Sequence, residues 1–292
     1  MALYLSAAVS GLALGLLYGL VGFAIVMLYK ATGVANFAQG TLGTLGAFFA
    51  FDLLQKAGWS LWPAILGSLV LSAALGVACF LLVVRPRPQA GNLNITVRTL
   101  ALSLLVVAVM TQHWGPGSPY RFPSVLTGSG LQVSRVTLAP QTLLIAAVSV
   151  AVVALFWLFF RYTRSGLSLR ALAADPDTSR LLGLRTSRLG AATWAISCVL
   201  GTVVAILLAP TAFLEPAMMD SYLLFTFTGI VLGGLTSLPG ALLGSVIVGV
   251  IANVTTIAVS PELGVIVVFG MLLASMLLRP QGLLGKPLAV RL

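Results

Sequence analysis

The chain has 292 residues, is 59% hydrophobic and only 8% charged, and has a mean hydropathy of +1.10. Soluble domains carry about 25% charged residues, so a water-soluble fold is excluded; long unbroken apolar runs exclude an outer-membrane barrel, whose strands alternate over about ten residues. The net charge of +10 lies at the ends of apolar runs and forms no compact patch with interleaved aromatics, which argues against a nucleic-acid partner.

The pattern predicts an all-α polytopic membrane protein with about 8–9 transmembrane helices, some broken or re-entrant, in a single domain over 1–292. Run 5–28 comes first. The first basic residue of the chain is Lys30, past this run, so the charged start of a cleavable signal is missing and the run is expected to remain as a span. Gly11, Gly15 and Gly19 put small residues on one helical face, where backbones approach closely in lipid. Run 33–54 is rich in glycine and polar residues: Asn36, Gln39 and Thr41 lie among glycines, and Gly40 with Thr44 repeats the spacing of four. Runs 62–84 and 99–114 follow, the second short for a straight span of about 20 residues. His113, the only histidine, ends it and reads as an interfacial side chain. Segment 115–139 is the one sizeable outer loop, rich in turn residues; a solvated connector and a contact for an extracytoplasmic partner both fit it.

After run 140–160 comes the most informative segment. Residues 161–188 hold eight of the chain's 22 charged residues between long apolar runs. Each Arg or Asp at mid-membrane costs about 2.5–3.5 kcal/mol even on the lenient insertion scale, so this island is a water-facing loop. Asp175-Pro176 reads as an N-cap followed by proline at the first helical position, and Gly183 as the residue past the helix end. One or two short surface helices are expected, with arginines facing water and Leu172, Leu181 and Leu182 facing something apolar. An ordered loop of this kind suits a docking surface for a soluble partner.

Runs 191–212, 222–238, 240–258 and 263–278 complete the chain; 222–238 and 263–278 are again short. Glu215 and Asp220 flank Pro216 in a turn and read as solvated loop charges. Thr236, Ser237 and Pro239 interrupt the apolar pattern, and Pro239 is expected to break the helix. Broken helices at membrane depth are tolerated where they line protein or a water-filled cavity. Asn36, Gln39, Thr41, Thr236 and Ser237 are therefore candidates to line or support a translocation path; polar helix-packing contacts are the competing account.

With nine crossings and 161–188 inside, the inner side holds 13 of the 16 basic residues: Lys30, Arg85, Arg87, Arg98, six loop arginines, Arg279, Lys286 and Arg291. Lys56, Arg121 and Arg135 stay outside, so the N-terminus is expected out and the C-terminus in. No catalytic set is legible. Gly285-Lys286 lacks the spacing of a phosphate loop, one histidine cannot build a metal site, and Cys79 and Cys198 read as buried small hydrophobes, so no cofactor or metal is expected. Buried acids, which proton- or sodium-coupled carriers need, are missing apart from Asp52 near an outer end, so energy for uphill transport would come from a partner.

The blocks Tyr18-Gly19, Gly33-Val34-Ala35-Asn36-Phe37-Ala38-Gln39-Gly40 and Leu45-Gly46-Ala47 resemble the first block of branched-chain amino-acid ABC transporter permeases of the LivH type. That family usually reads Asn-Phe-Ala-His-Gly-Glu, where this chain has Gln39 and Thr41 in place of the His and Glu. Gly166, Leu169-Arg170-Ala171, Ala173, Asp175 and Leu181-Leu182-Gly183 resemble its ATPase-docking loop. Gly233-Gly234, Ser237, Gly240 and Gly244 are similar to its glycine-rich block, with Thr236 where Gly is common, and Arg279-Pro280-Gln281-Gly282-Leu283-Leu284-Gly285 is similar to its C-terminal signature.

The resemblance implies a non-enzymatic permease subunit of an ATP-driven importer in the bacterial inner membrane, moving branched-chain amino acids or related small polar solutes by alternating access. It implies a second permease subunit of the LivH/LivM type, two cytoplasmic ATP-binding subunits, an extracytoplasmic solute-binding protein and surrounding membrane lipid as partners. Loop 161–190 would dock the ATPase through Arg170, Ala171, Ala174, Asp175, Arg180 and Gly183. A stand-alone channel for a small neutral solute such as urea is the alternative; it would need no ordered docking loop.

Overall fold

The computed structural model describes residues 2–84, 92–126, 130–133 and 136–285. Arg85, Arg87, Arg135, Lys286 and Arg291, which enter the charge asymmetry, lie outside them, as do 127–129 of the 115–139 loop. The elements in order are α1 (Ala2–Thr32), α2 (Gln39–Gln55), α3 (Leu61–Cys79, continued by a π turn over Phe80–Val84) and α4 (Asn92–Trp114). A hairpin of β1 (Leu131–Val133) and β2 (Val136–Leu138) precedes α5 (Pro140–Tyr162), α6 (Arg164–Ala174) and α7 (Pro176–Leu181). Then come α8 (Thr186–Ala212), α9 (Asp220–Gly233), α10 (Leu238–Ala258) and α11 (Pro261–Leu278).

Among the described residues, seven helices are long and apolar enough to cross a bilayer: α1, α3, α4, α5, α8, α10 and α11. The protein is an all-α polytopic membrane protein, with the hairpin a minor addition. The remaining two predicted runs are the short helices α2, of 17 residues, and α9, of 14. Run 99–114 belongs to a longer helix than its hydropathy suggests. α4 starts at Asn92 because polar side chains in its first half find partners: Arg98 donates to Val83 O at 3.2 Å, and Thr99 Oγ1 donates to Thr96 O at 2.7 Å and accepts from Phe37 N at 3.2 Å. A pairing of this kind removes the cost that a hydropathy window charges to a polar residue in lipid.

The chain forms two compact units. One comprises Met1–Val26, Leu126–Val153 and Ser221–Leu292; the other comprises Met27–Val125 and Ala154–Asp220. In the first, α1 runs antiparallel to α10 along its glycine face. A Cβ on Gly15 would lie 2.7 Å from Val246 Cα, and one on Gly11 2.8 Å from Gly249 O, so only hydrogen fits there. α9 and α10 form a hairpin whose glycines Gly229, Gly233, Gly240 and Gly244 touch backbone to backbone. The predicted break falls at Gly234, with φ +111°, and Ser237, whose Oγ accepts from Gly240 N at 3.1 Å; Pro239 sits in the first turn of α10. Residues 281–285 fold onto this turn, Leu283 N donating to Leu232 O at 2.8 Å and Leu284 N to Gly233 O at 3.0 Å. Two sequence blocks 50 residues apart are thus one backbone clasp.

In the second unit α8 is central, parallel to α2 and antiparallel to α3. A Cβ on Gly43 would lie 2.6 Å from Gly201 O, and one on Gly76 2.7 Å from Ala195 Cα. Thr202 Oγ1 donates to Ser72 Oγ at 2.8 Å across the α8–α3 contact. At one end, Trp114 stacks on Phe48 with ring centres 4.8 Å apart, and its Nε1 donates to Asp52 Oδ1 at 3.0 Å. Tyr120 and Leu214 exchange backbone hydrogen bonds of 3.0 and 2.9 Å over this end, so the start of segment 115–139 is pinned rather than a free connector.

Candidate functional site

α1 ends at Gly33, whose φ of +71° turns the chain out of the helix. Residues 34–38 are irregular, and Asn36 organises them: its Oδ1 accepts from Ala38 N at 3.0 Å, and its Nδ2 donates to Gln39 Oε1 at 3.4 Å. Gln39 opens α2 and reaches α8 twice. Its Nε2 donates to Ser197 O at 2.8 Å, and its Oε1 accepts from Ser197 Oγ at 2.6 Å. Thr41 Oγ1 shares a 2.7 Å hydrogen bond with Ser103 Oγ of α4. Thr99 closes the cluster, accepting from Phe37 N at 3.2 Å and donating to Thr96 O at 2.7 Å, with Ala35 O farther off at 3.3 Å.

Ser197 lies eleven residues into α8 and Ser103 eleven into α4, each about 16 Å from the helix start at about 1.5 Å per residue. α2 therefore begins near the middle depth of both helices, as a half-helix. Asn36 and Gln39 are fully buried and Thr41 nearly so, and each has hydrogen-bond partners. Among the described residues, no ionisable side chain enters the cluster. Its polar side chains knit the break to α4 and α8.

Asn36, Gln39 and Thr41 fall in one unit, while Thr236 and Ser237 fall in the other, in the α9–α10 turn. Ser237 acts there as the α10 cap, and Thr236 is half-buried. Sequence reasoning missed Thr99, Ser103 and Ser197. The spacing of Thr96, Thr99 and Ser103 marks one helical face, a legible signal in the sequence. Ser197 carries no such signal, since small hydroxyls occur throughout apolar helices.

The second candidate region is the α6–α7 loop. Thr163 caps α6, its Oγ1 accepting from Gly166 N at 2.9 Å. Asp175 caps α7: Thr178 N donates to Oδ1 at 3.1 Å and Thr178 Oγ1 to Oδ2 at 2.8 Å. Gly183 follows α7 with φ +81°. Arg170, Ala174 and Arg180 are exposed, while Ala171 and Asp175 are half-buried. Leu172 is buried as expected. Leu181 and Leu182 differ: they are 87% and 75% exposed, so neither is covered by an apolar neighbour within the chain. At the neighbouring end of α5, Arg161 lies over the rings of Trp157 and Tyr162 at 5.5 and 5.8 Å, the arrangement of an aromatic belt with a snorkelling cation. Among the described residues, no group of three or more His, Cys, Asp or Glu side chains could hold a metal ion.

Residues 7–276 match the family described as "Branched-chain amino acid transport system / permease component". The "High-affinity branched-chain amino acid transport system permease protein BraD" of Pseudomonas aeruginosa is 29% identical, over 97% of this chain and 96% of its own length. The LivH permease protein of Escherichia coli K12 is 27% identical, over 95% of this chain and 94% of its own. In fold, the chain is similar to PsaBC from Streptococcus pneumoniae in complex with Fab, with a TM-score of 0.52 and 14% identity over 93% of this chain and 91% of that one. A match over so much of the length, on a helical membrane fold with the expected broken helix and capped loop, places this chain in the branched-chain amino acid transport system permease family.

Proposed function

We propose that the chain is the membrane permease subunit of an ATP-driven importer, translocating branched-chain amino acids or related small polar solutes by alternating access. The whole chain serves as one permease domain in a bacterial inner membrane, N-terminus out and C-terminus in. It pairs with a second permease subunit, two cytoplasmic ATP-binding subunits and an extracytoplasmic solute-binding protein. The observation that carries the coupling is the α6–α7 loop: two capped helices end in an outward Leu181-Leu182 pair among exposed arginines, an arrangement that a soluble partner would cover. Arg170, Ala171, Ala174, Asp175, Arg180 and Gly183 belong to that contact.

The half-helix α2 supports the path. Its N-terminus at mid-depth favours an anionic group such as an amino acid's carboxylate once the transporter opens. Asn36, Gln39 and Thr41 hold the break in place. Thr236 and Ser237 support the path through the α9–α10 turn.

Reconstitution tests this reading. The chain is co-expressed with its neighbouring transport subunits, purified in mild detergent and placed in liposomes. The expected result is co-purification of an ATPase and leucine uptake that needs ATP and a solute-binding protein; the isolated chain binds no nucleotide. Uptake by the isolated chain down a gradient, without ATP, would instead establish a channel.

A further inference from the structure

Two arginines flank the corner where α5 turns into α6, and among the described residues neither guanidinium has a hydrogen-bond or carboxylate partner. Arg161, in the last turn of α5, is held over the rings of Trp157 and Tyr162 at 5.5 and 5.8 Å, so its donor fork is oriented but unoccupied. Arg164 opens α6, which has no acid in its first turn. A cation there opposes the partial positive charge of the helix N-terminus, where an anion is favoured. The corner is fixed: Thr163 Oγ1 donates to Phe159 O at 2.7 Å and accepts from Gly166 N at 2.9 Å, and a Cβ on Gly166 would lie 2.8 Å from Phe160 Cα. The surroundings are those of a bilayer surface rather than of a protein interface. α5 is the least buried of the seven spans, with 11% of its apolar stretch inside the chain. From residue 155 onward its exposed side chains are Leu155, Trp157, Leu158, Arg161 and Tyr162, all large. Helices that pack on helices in lipid present small residues, while Trp and Tyr beside a cation mark the headgroup level.

We infer that Arg161 and Arg164 bind the phosphate of an anionic phospholipid, with Trp157 and Tyr162 against its glycerol and upper acyl chain. Two unmatched cations favour a headgroup of net negative charge over a zwitterionic one, whose ammonium they repel. On the orientation proposed above, the corner lies at the cytoplasmic leaflet, whose anionic lipids attract basic residues next to a span. Only the choice of leaflet rests on that orientation. The bound lipid ties to the membrane the corner from which the α6–α7 loop starts.

The test uses the assembled complex in phosphatidylcholine vesicles, with brominated phosphatidylglycerol or brominated phosphatidylcholine added as a contact quencher. Trp157 fluorescence is read as the difference between each protein and the same protein carrying Trp157→Phe. Phosphatidylglycerol is expected to quench Trp157 at a membrane fraction at least about fivefold lower than phosphatidylcholine, the scale of one arginine near an anionic surface, and the preference should shrink at high salt. The double variant Arg161→Gln with Arg164→Gln should be quenched equally by both lipids. Arg161→Lys, which keeps the charge and loses the planar stack, should fall between. Quenching by neither lipid shows that protein covers Trp157 and overturns the inference. Equal quenching by both lipids in the unmodified complex overturns it too, as does a preference that survives in the double variant. Should the double variant fail to assemble, the same two readings of the unmodified complex and of Arg161→Lys decide the matter. If a cysteine at Ser187 is labelled from the outer face while the lipid preference holds, the orientation fails and the lipid site stands.

Discussion

The bond pair between Gln39 and Ser197 ties the start of α2 to the middle of α8, and its energy can be measured. Replacing Gln39 with Leu keeps most of the volume but strands Ser197 Oγ and the Asn36 amide in a fully buried cluster. A buried polar group left unpaired costs about 1–3 kcal/mol. Ser197→Ala removes the 2.6 Å bond to Gln39 Oε1 but leaves that oxygen its Asn36 partner, so a smaller loss of about 0.5–1.5 kcal/mol is expected. Once Gln39 is gone, Ser197→Ala has no bond to break and removes a stranded hydroxyl. The two effects should therefore be non-additive by about 0.6–1.7 kcal/mol, the span of interhelical hydrogen bonds measured in membranes. Denaturant titration of the purified subunit in mixed micelles reads this, with fluorescence of Trp194, fully buried on α8 three residues before Ser197, among the reporters. A coupling below about 0.3 kcal/mol, the scatter of independent sites, would refute the idea that this pair holds the break.

Glycine substitutions give a steric contrast. Gly43→Ala should lower stability by about 1–3 kcal/mol, because its Cβ would press to 2.6 Å from Gly201 O, whereas Gly270→Ala on α11 meets nothing within 4 Å and should be neutral or stabilising by about 1 kcal/mol; equal effects in thermal denaturation would contradict the packing. Asp175→Ala removes the α7 cap, worth about 1 kcal/mol, and combined with Arg180→Glu it should reduce ATPase co-purification while membrane insertion stays normal. Unchanged assembly and uptake would count against the loop as the contact. Cysteines introduced at the exposed positions Pro123 and Ser187 should be labelled from opposite faces of the membrane, 123 from outside, as the basic asymmetry requires; labelling from one side would invalidate the orientation and the docking argument with it.

Much of this protein is dictated locally and is legible without a structure. Apolar runs long enough to span hydrocarbon, the Asp175-Pro176 cap and Gly183 stop of α7, the close-packing face of Gly11, Gly15 and Gly19, and the break before Pro239 depend on neighbours within a few residues. Each follows from helix geometry, backbone donors or the solvent. The start of α4 at Asn92 does not, because its polar first half is tolerated partly through groups on other segments, such as Val83 O for Arg98 and Phe37 N for Thr99. The same holds for Leu181 and Leu182. An apolar pair in sequence implies cover, but whether another element of the chain supplies it is settled only by the packing, and here none does. Ser197 is the clearest case. Nothing around it in the chain distinguishes it, and only the parallel packing of α2 on α8 brings it to Gln39, 158 residues away. Long-range hydrogen bonding in a buried interior is a property of the assembled helices, so the residues that hold the broken helix became visible only in three dimensions.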